Sequence, residues 1–496
     1  GKYYFLSRPR RFGKSLLIST LQSLFLGEKE LFEGLWIYDK HDFEPRPVIL
    51  LSFNDIDFRE QSLETSLSNH LEGIAAKHGL TLTEETAKEK FSELIQKMGK
   101  ERQVAVLVDE YDKPIIDYFD KVPQAVENRE VLRNFFGVLK GLNVVSHLHF
   151  VFITGVSKFT KVSLFSELNH LSDITIDRRF AGMLGITQAE MEANFADRIE
   201  LLQQKMGMEK QALLDRIKEQ YNGYSWDAET LVYNPFSLLR FFASETFGNY
   251  WFTSGTASFL IKAFKTSNQP VEALEEKVVT EPFFDKYDVE NFDLYSLMWQ
   301  TGYLTIRKIE GGFDQTWFIL GFPNNEVRNA FNNQLLELYA NKTNSTIQPM
   351  LYHAQKALLQ GNPDAFVKEL KAIFSDIAYE MHPKDTGNSE KLFAQWEGFF
   401  QAITTLTVKV LGVGVQAEVS KSHGRIDAIF ETPQFIYIVE FKLEDTADNA
   451  LKQIKDKHYP AAYSTRRKPI FLIGISFSAS TRNVSDYKFE KLEPMN

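Results

Sequence analysis

Apolar and polar positions along this chain fall into two rhythms. Short apolar runs at Lys2–Leu6 (KYYFL), Val48–Phe53 (VILLSF), Val104–Val108 (VAVLV) and Phe150–Thr154 (FVFIT) are separated by stretches long enough for helices. Continuous rather than alternating apolar runs at that spacing predict a parallel sheet covered on both faces by crossover helices. The first strand leads through Phe12-Gly13-Lys14-Ser15 into an apolar, helix-like run, Leu16–Phe25. From about residue 187 to 285 the pattern is mainly helical, as in Gln188–Met206 and Asn234–Phe242. Residues 286–340 mix helix with a predicted hairpin, Tyr303–Ile306 and Thr316–Leu320 around Gly311-Gly312, and suggest a small winged-helix-like unit. Thr343–Ile377 reads as a polar helical connection. The terminal part runs helix (Glu390–Leu411), strands, helix (Asp448–Tyr459) and a final strand, Pro469–Ile475.

Within that last part, Gly424–Lys442 (GRIDAIFETPQFIYIVEFK) carries the densest chemistry. Arg425–Phe430 and Phe435–Leu443 flank Thr432-Pro433-Gln434, where proline marks a turn. If the hairpin is symmetric about Pro433-Gln434, opposed residue numbers sum to a constant. Asp427 then lies across from Glu440, and Arg425 across from Lys442. Alternation places Glu440 and Lys442 on one face. Two carboxylates opposed in a sheet are destabilising unless a cation lies between them or one is protonated. Oxygen ligands on strands suit Mg²⁺, or Mn²⁺, which activates water and stabilises charge on a phosphate. Lys442 would then orient the nucleophile or stabilise the developing phosphate charge. The competing reading is a pair of ordinary solvated carboxylates. Against it, apolar residues fill both faces of the pair, and charges at the end of a buried strand pair call for a reason.

Composition narrows the setting. The 496 residues allow about three domains, with 42 Phe supplying aromatic cores. Zero Cys excludes disulfides and cysteine-based sites, and fits a reducing compartment. No apolar run has membrane-spanning length and no signal peptide is visible, so a cytoplasmic location is expected. The chain opens directly in a core strand without Met, which suggests a truncated start. A net charge of −10 argues against a wholly nucleic-acid-coated surface. The acidity is uneven: residues from 381 onward hold 15 Lys+Arg against 14 Asp+Glu, the first 380 hold 41 against 52. The C-terminal part could therefore still offer phosphates a local basic surface. Lys452, Lys455, Lys457 and Arg466-Arg467-Lys468 are candidates, equally readable as solvated faces.

Gly13-Lys14-Ser15 between strand and helix is the second half of a phosphate-binding loop. Backbone amides and the helix N-terminus would cradle phosphates, Lys14 would reach the β/γ oxygens and Ser15 would bind Mg²⁺. The full pattern wants Gly at position 8, where this chain has Arg8, in a stiff basic loop whose Arg11 joins the candidate nucleotide-binding set. The VAVLV strand ends in Asp109-Glu110. Asp109 would hold the Mg²⁺ and Glu110 would polarise the attacking water. Thr154, ending the next strand, could sense the γ-phosphate or cap its own turn.

With these residues in view, the chain resembles the AAA-ATPase-like family that carries a C-terminal PD-(D/E)XK nuclease domain. Ser7–Ser15 (SRPRRFGKS) matches the family's opening, which makes Arg8 a family trait. Val108–Pro114 (VDEYDKP), Thr154–Phe159 (TGVSKF), Val232–Phe236 (VYNPF) and Thr301–Leu304 (TGYL) also match. The resemblance implies a P-loop ATPase core over 1–185, a helical and winged-helix-like region over 186–345, a helical connection over 346–380, and a restriction-endonuclease-like α/β domain over 381–490. It also implies Asp427, Glu440 and Lys442 as nuclease residues, Glu397 as an additional carboxylate and Gln453 as a glutamine on the following helix. In related nucleases a tyrosine often stands four residues after that glutamine; here Lys457 stands there, with Tyr459 beyond. The expected cofactors are ATP and Mg²⁺ or Mn²⁺, and the expected partner is nucleic acid, DNA above RNA, with Arg425 and Gln453 as contacts. The function expected is nucleotide control of a metal-dependent nuclease. The alternative is a nucleotide-dependent signalling or scaffold protein whose nuclease-like domain only binds nucleic acid or a partner. Oligomeric state is open.

Overall fold

The computed structural model describes residues 2–119, 121–158, 171–251, 260–261, 263–264, 274–285, 293–312, 314–340, 344–375, 389–412, 414–421 and 424–494, with only the backbone described at 340, 344, 389–395, 397, 414–421 and 424–426. The chain divides into two compact units, Gly1–Ser254 with Leu274–Val327, and Gly255–Ala273 with Arg328–Asn496.

The first unit is built on a parallel sheet of β1 (Tyr3–Ser7), β2 (Val48–Ser52), β3 (Val104–Asp109), β4 (Leu148–Gly155) and β5 (Ser172–Asp173), in the order β2-β3-β4-β1-β5. The crossover pattern read from the apolar runs is what forms. Leu6, Ile18, Phe25, Ala105, Leu107 and Phe152 make the core between this sheet and the Lys14–Leu26 helix. Each of the Leu, Ile and Phe side chains contributes roughly 1.5–3 kcal/mol on burial. Register places Ser7 beside Gly155 and Ser52 beside Asp109, so the strands end along one edge. In open parallel sheets that edge is where ligands are held. Because β4 lies between β1 and β3, the phosphate-loop strand and the acid-bearing strand are not neighbours.

Downstream, the stretch Gln188–Met206 forms two helices, Gln188–Asn194 and Ala196–Met206, which break at Phe195. Asn234 caps the helix Pro235–Ser244 by accepting from Ser237 N at 3.2 Å. A two-strand pair of β6 (Ile186–Thr187) and β7 (Val232–Tyr233) joins these helices. The predicted hairpin is present as β9 (Thr305–Gly311) and β10 (Thr316–Gly321), completed by β8 (Lys277–Thr280) and preceded by the helix Leu294–Thr301. Its first strand starts later and runs longer than the apolar pattern suggests. Arg307, Lys308 and Glu310 extend it as polar residues of an edge strand.

The second unit centres on β11 (Gly414–Lys421), β12 (Gly424–Glu431), β13 (Ile436–Leu443), β14 (Ile470–Ser478) and β15 (Asn483–Leu492), ordered as numbered and antiparallel except for β13/β14. The crossover between the parallel pair carries the helix Ala447–Asp456. A Cβ at Gly474 on β14 would stand 2.4 Å from Ala447 O, so glycine there is what lets this helix lie close on the sheet. Ile429, Ile438, Leu451, Ile454, Tyr459 and Leu472 form the core on that side. On the other face Phe400 stacks on Phe477 at 4.4 Å, with Phe374 5.3 Å from Phe400 and Phe366 6.2 Å from Phe430. The helix Pro363–Ser375 thus helps cover this sheet, and Tyr437 on β13 donates its hydroxyl to Leu358 O of the helix Asn344–Leu359 at 2.5 Å. The long helix over Glu390–Leu411 is found at Ser389–Val410. β15 is an unpredicted element: its exposed, charged sequence DYKFEKL hides an edge strand. Among the described residues no helix is long and apolar enough to cross a membrane.

Candidate functional site

In the second unit, β12 and β13 pair with the register expected from the turn: Ala428↔Val439, Ile429↔Ile438, Phe430↔Tyr437 and Glu431↔Ile436. The same sum would oppose Asp427 to Glu440, but the regular ladder stops at Ala428. There Asp427 Oδ2 accepts from the Phe441 amide at 2.8 Å, so its side chain takes the place of a ladder bond and is fixed beside Glu440. Glu440 is 1% exposed. Its Oε1 accepts from the Gln453 amide and lies 3.5 Å from Lys442 Nζ, while its Oε2 has no hydrogen-bond partner among the described residues. Burial first, and Asp427 second, push the Glu440 carboxyl up to about 8, with Lys442 pulling the other way. Lys442 Nζ donates to Gln453 Oε1 at 2.7 Å, so one amide holds both the acid and the amine.

The Gln453 helix ends at Asp456, and His458 takes a left-handed backbone with φ 52°. The chain therefore turns back, and Tyr459, two positions later than helical spacing would require, hydrogen-bonds Gln453 from the buried side. The tyrosine partner of the glutamine is present but displaced along the sequence. Glu397 lies on the Ser389–Val410 helix and Arg425 on β12, with both side chains outside the described residues. Among the described residues no group of three or more His, Asp or Glu side chains converges. An orphaned, buried carboxylate oxygen beside a second carboxylate and a lysine is nonetheless a donor set that a hard divalent cation fits.

In the first unit, Arg11 and Gly13 adopt left-handed backbones, φ 67° and 83°, that bend β1 into the Lys14–Leu26 helix. Lys14 is buried and its Nζ donates to the Arg8 and Pro9 carbonyls at 3.0 Å each, closing the loop on itself. Burial lowers the Lys14 pKa, against the pull of Glu110, Asp112 and Asp109. Ser15, exposed, bonds the Asp109 carboxylate, whose Oδ1 is buried without a partner among the described residues. The Asp109 pKa is raised, chiefly by burial. Lys14, Ser15 and Asp109 thus come together at the ends of β1 and β3, with Glu110 adjoining in a left-handed conformation, φ 51°. This set fits a nucleotide phosphate with its cation.

Two candidates stand differently. Thr154 is fully buried, and its hydroxyl donates to Leu6 O at 2.9 Å. The Arg11 guanidinium donates to Tyr250 O at 2.8 Å and lies 4.1 Å from the Phe236 ring centre. Arg8, in the glycine's place, points away from the loop: it donates to Ser7 O, Thr175 O and Phe180 O at 2.9–3.0 Å and lies 3.8 Å from the Trp226 ring centre. Asp112 is a participant that sequence reasoning passed over. Its Oδ2 accepts from the Val156 and Ser157 amides and from Ser157 Oγ at 2.6–3.0 Å, joining the ends of β3 and β4. A third acid just after Asp109-Glu110 was the available signal.

Against known proteins, residues 1–165 match the AAA-ATPase-like family, described as "Predicted AAA-ATPase", and residues 395–487 match the PD-(D/E)XK nuclease superfamily. The chain is 37% identical over 502 residues to the "Uncharacterized protein in vnfD 5'region" of Azotobacter chroococcum mcd 1, covering 99% of this chain and 93% of that protein. No solved structure matches.

Proposed function

We propose, from the premise that this chain belongs to the AAA-ATPase-like family with a C-terminal PD-(D/E)XK nuclease superfamily domain, that it binds and hydrolyses ATP and thereby governs a divalent-metal-dependent DNA nuclease. The observation that carries the nuclease reading is Glu440: a buried carboxylate with one oxygen unpartnered among the described residues, set beside Asp427, Lys442 and Gln453. Burying such a group without compensation costs several kcal/mol, and a site is where that cost is offset by function. Asp427 and Glu440 would hold Mg²⁺ or Mn²⁺, which when bound supplies water activation and neutralises phosphate charge. Lys442, held by Gln453, stabilises the negative charge that develops on the phosphate oxygens. Tyr459 fixes Gln453 from behind, and Glu397 stands as an additional carboxylate.

For the nucleotide, Lys14, now on its loop carbonyls, would bind phosphate, Ser15 and Asp109 would hold the cation, and Glu110 would polarise the attacking water. Arg11 and Thr154 belong to the same proposed set, Arg11 as a link from the loop to Tyr250 and Phe236.

The test is DNA cleavage by the full chain with Mg²⁺ or Mn²⁺, with and without ATP, in wild type, Glu440→Ala and Lys14→Ala. Wild type is expected to cut, Glu440→Ala to lose at least a hundredfold in rate, and Lys14→Ala to lose both ATPase activity and the ATP effect on cutting. Equal cutting by wild type and Glu440→Ala sinks the assigned site. Nucleic acid binding without cleavage under any condition favours a scaffold instead.

A further inference from the structure

Beside Glu440 an open cleft of 530 Å³ is lined by Lys442, Asp445, Asn449, Lys452, Gln453, Asp456 and Lys457. It is made largely by one face of the helix Ala447–Asp456. That helix buries Ala447, Ala450, Leu451 and Ile454 against the sheet, which turns Asn449, Lys452, Gln453 and Asp456 outward at helical spacing. Thr446 accepts from Asn449 N at 3.2 Å to cap the helix, and Asp445 is already held by Asn449 Nδ2 and Thr446 N at 2.6 and 2.7 Å.

Four basic residues of this region are held in ion pairs outside the cleft lining. Lys455 is paired with Glu490, Arg466 and Lys468 with Glu431, and Lys488 with Asp448. Lys452 and Lys457 line the cleft and form no ion pair among the described residues. Along the helix axis they are separated by about 7.5 Å, roughly the rise of two nucleotides. None of the described residues lining the cleft is aromatic, so it offers no ring on which a base could stack.

We propose that this helix face is the substrate-backbone subsite, in which Lys452 and Lys457 bind phosphates flanking the one presented to Glu440 and Lys442, without reading bases. The proposal rests on the nuclease reading and names how that site takes hold of its substrate. Phosphate contacts position a nucleic acid and base contacts specify sequence, so this cleft recognises a phosphodiester strand of any sequence. The paired cations Lys455 and Lys488 take no part.

The experiment is fluorescence anisotropy with the full chain in Ca²⁺. The probes are labelled duplex DNA, single-stranded DNA and single-stranded RNA, each in two base compositions, over a range of salt concentrations. Lys452→Gln/Lys457→Gln is expected to bind about tenfold more weakly at moderate salt. The slope of log K against log salt should fall by about 2 for duplex DNA, close to 0.9 per lost contact. Lys455→Gln/Lys488→Gln should bind within twofold of wild type, and base composition should not alter either result. The probe with the largest loss identifies the strand form that occupies the cleft. An unchanged slope in the Lys452/Lys457 variant, an equal loss in the Lys455/Lys488 variant, or a loss confined to one base composition overturns the proposal. Cleavage by wild type separates the two levels: if it cuts while the double variant binds normally, the subsite alone falls. If wild type neither cuts nor binds any probe, the nuclease reading falls with it.

Discussion

Without a divalent cation, Glu440 should make the fold less stable as pH rises. Its carboxyl is raised from an ordinary 4.5 to about 8, first by burial and then by Asp427. A raised carboxylate binds its proton more tightly folded than unfolded. Its contribution is fully present below pH 4.5 and is lost as pH rises from there to about 8. At 1.36 kcal/mol per pH unit, that interval corresponds to an upper limit of about 5 kcal/mol, of which about 4 falls between pH 5 and 8. Glu440→Gln removes the titration while keeping an oxygen to accept from Gln453. An amide left unsatisfied where Oε2 was costs roughly 1–3 kcal/mol, and that cost does not change with pH. The quantity to measure is therefore the pH dependence of the difference between wild type and variant. Urea unfolding of the full chain in EDTA at pH 5, 6, 7 and 8, read by pulse proteolysis, gives it. Wild type should lose up to about 4 kcal/mol relative to the variant across this window, and Mn²⁺ should restore wild type at pH 8 but not the variant. A difference that stays constant from pH 5 to 8, or equal stabilisation of both proteins by Mn²⁺, refutes the reasoning.

Two further outcomes test the first unit. Glu326 is fully buried, accepts from Trp251 N at 2.9 Å and is raised by burial to about 7, with Arg11 drawing it down. Its contribution is likewise present below pH 4.5 and lost by pH 7, so Glu326→Gln should flatten the thermal stability profile between those values by up to about 3 kcal/mol. Parallel melting profiles would contradict this. Gly302 has φ 89°, and a Cβ there would come within 2.6 Å of the Pro9 Cβ. Gly302→Ala should cost about 2 kcal/mol or more through backbone strain and overpacking, and should weaken ATP binding by displacing the loop; calorimetric melting and nucleotide titration measure both.

What the sequence determined by itself was local. Apolar run lengths specified the parallel strands, and Pro433 specified the β12–β13 register and hence the neighbourhood of Asp427 and Glu440, because a short turn leaves a hairpin few ways to pair. Gly13-Lys14-Ser15 after β1 and Asp109 at the end of β3 were legible for the same reason: a strand's end is visible in its own residues. β15 was not, since an exposed edge strand buries too little to leave an apolar pattern. Nor was the bond between Tyr459 and Gln453, which depends on the helix stopping at Asp456 and His458 turning left-handed. Only the tertiary structure decided which cations face the cleft and which are paired, that Arg8 anchors the loop from behind, and that Pro9 rests on Gly302. These contacts join residues up to hundreds of positions apart, and packing, with no local periodicity to announce it, brings them together.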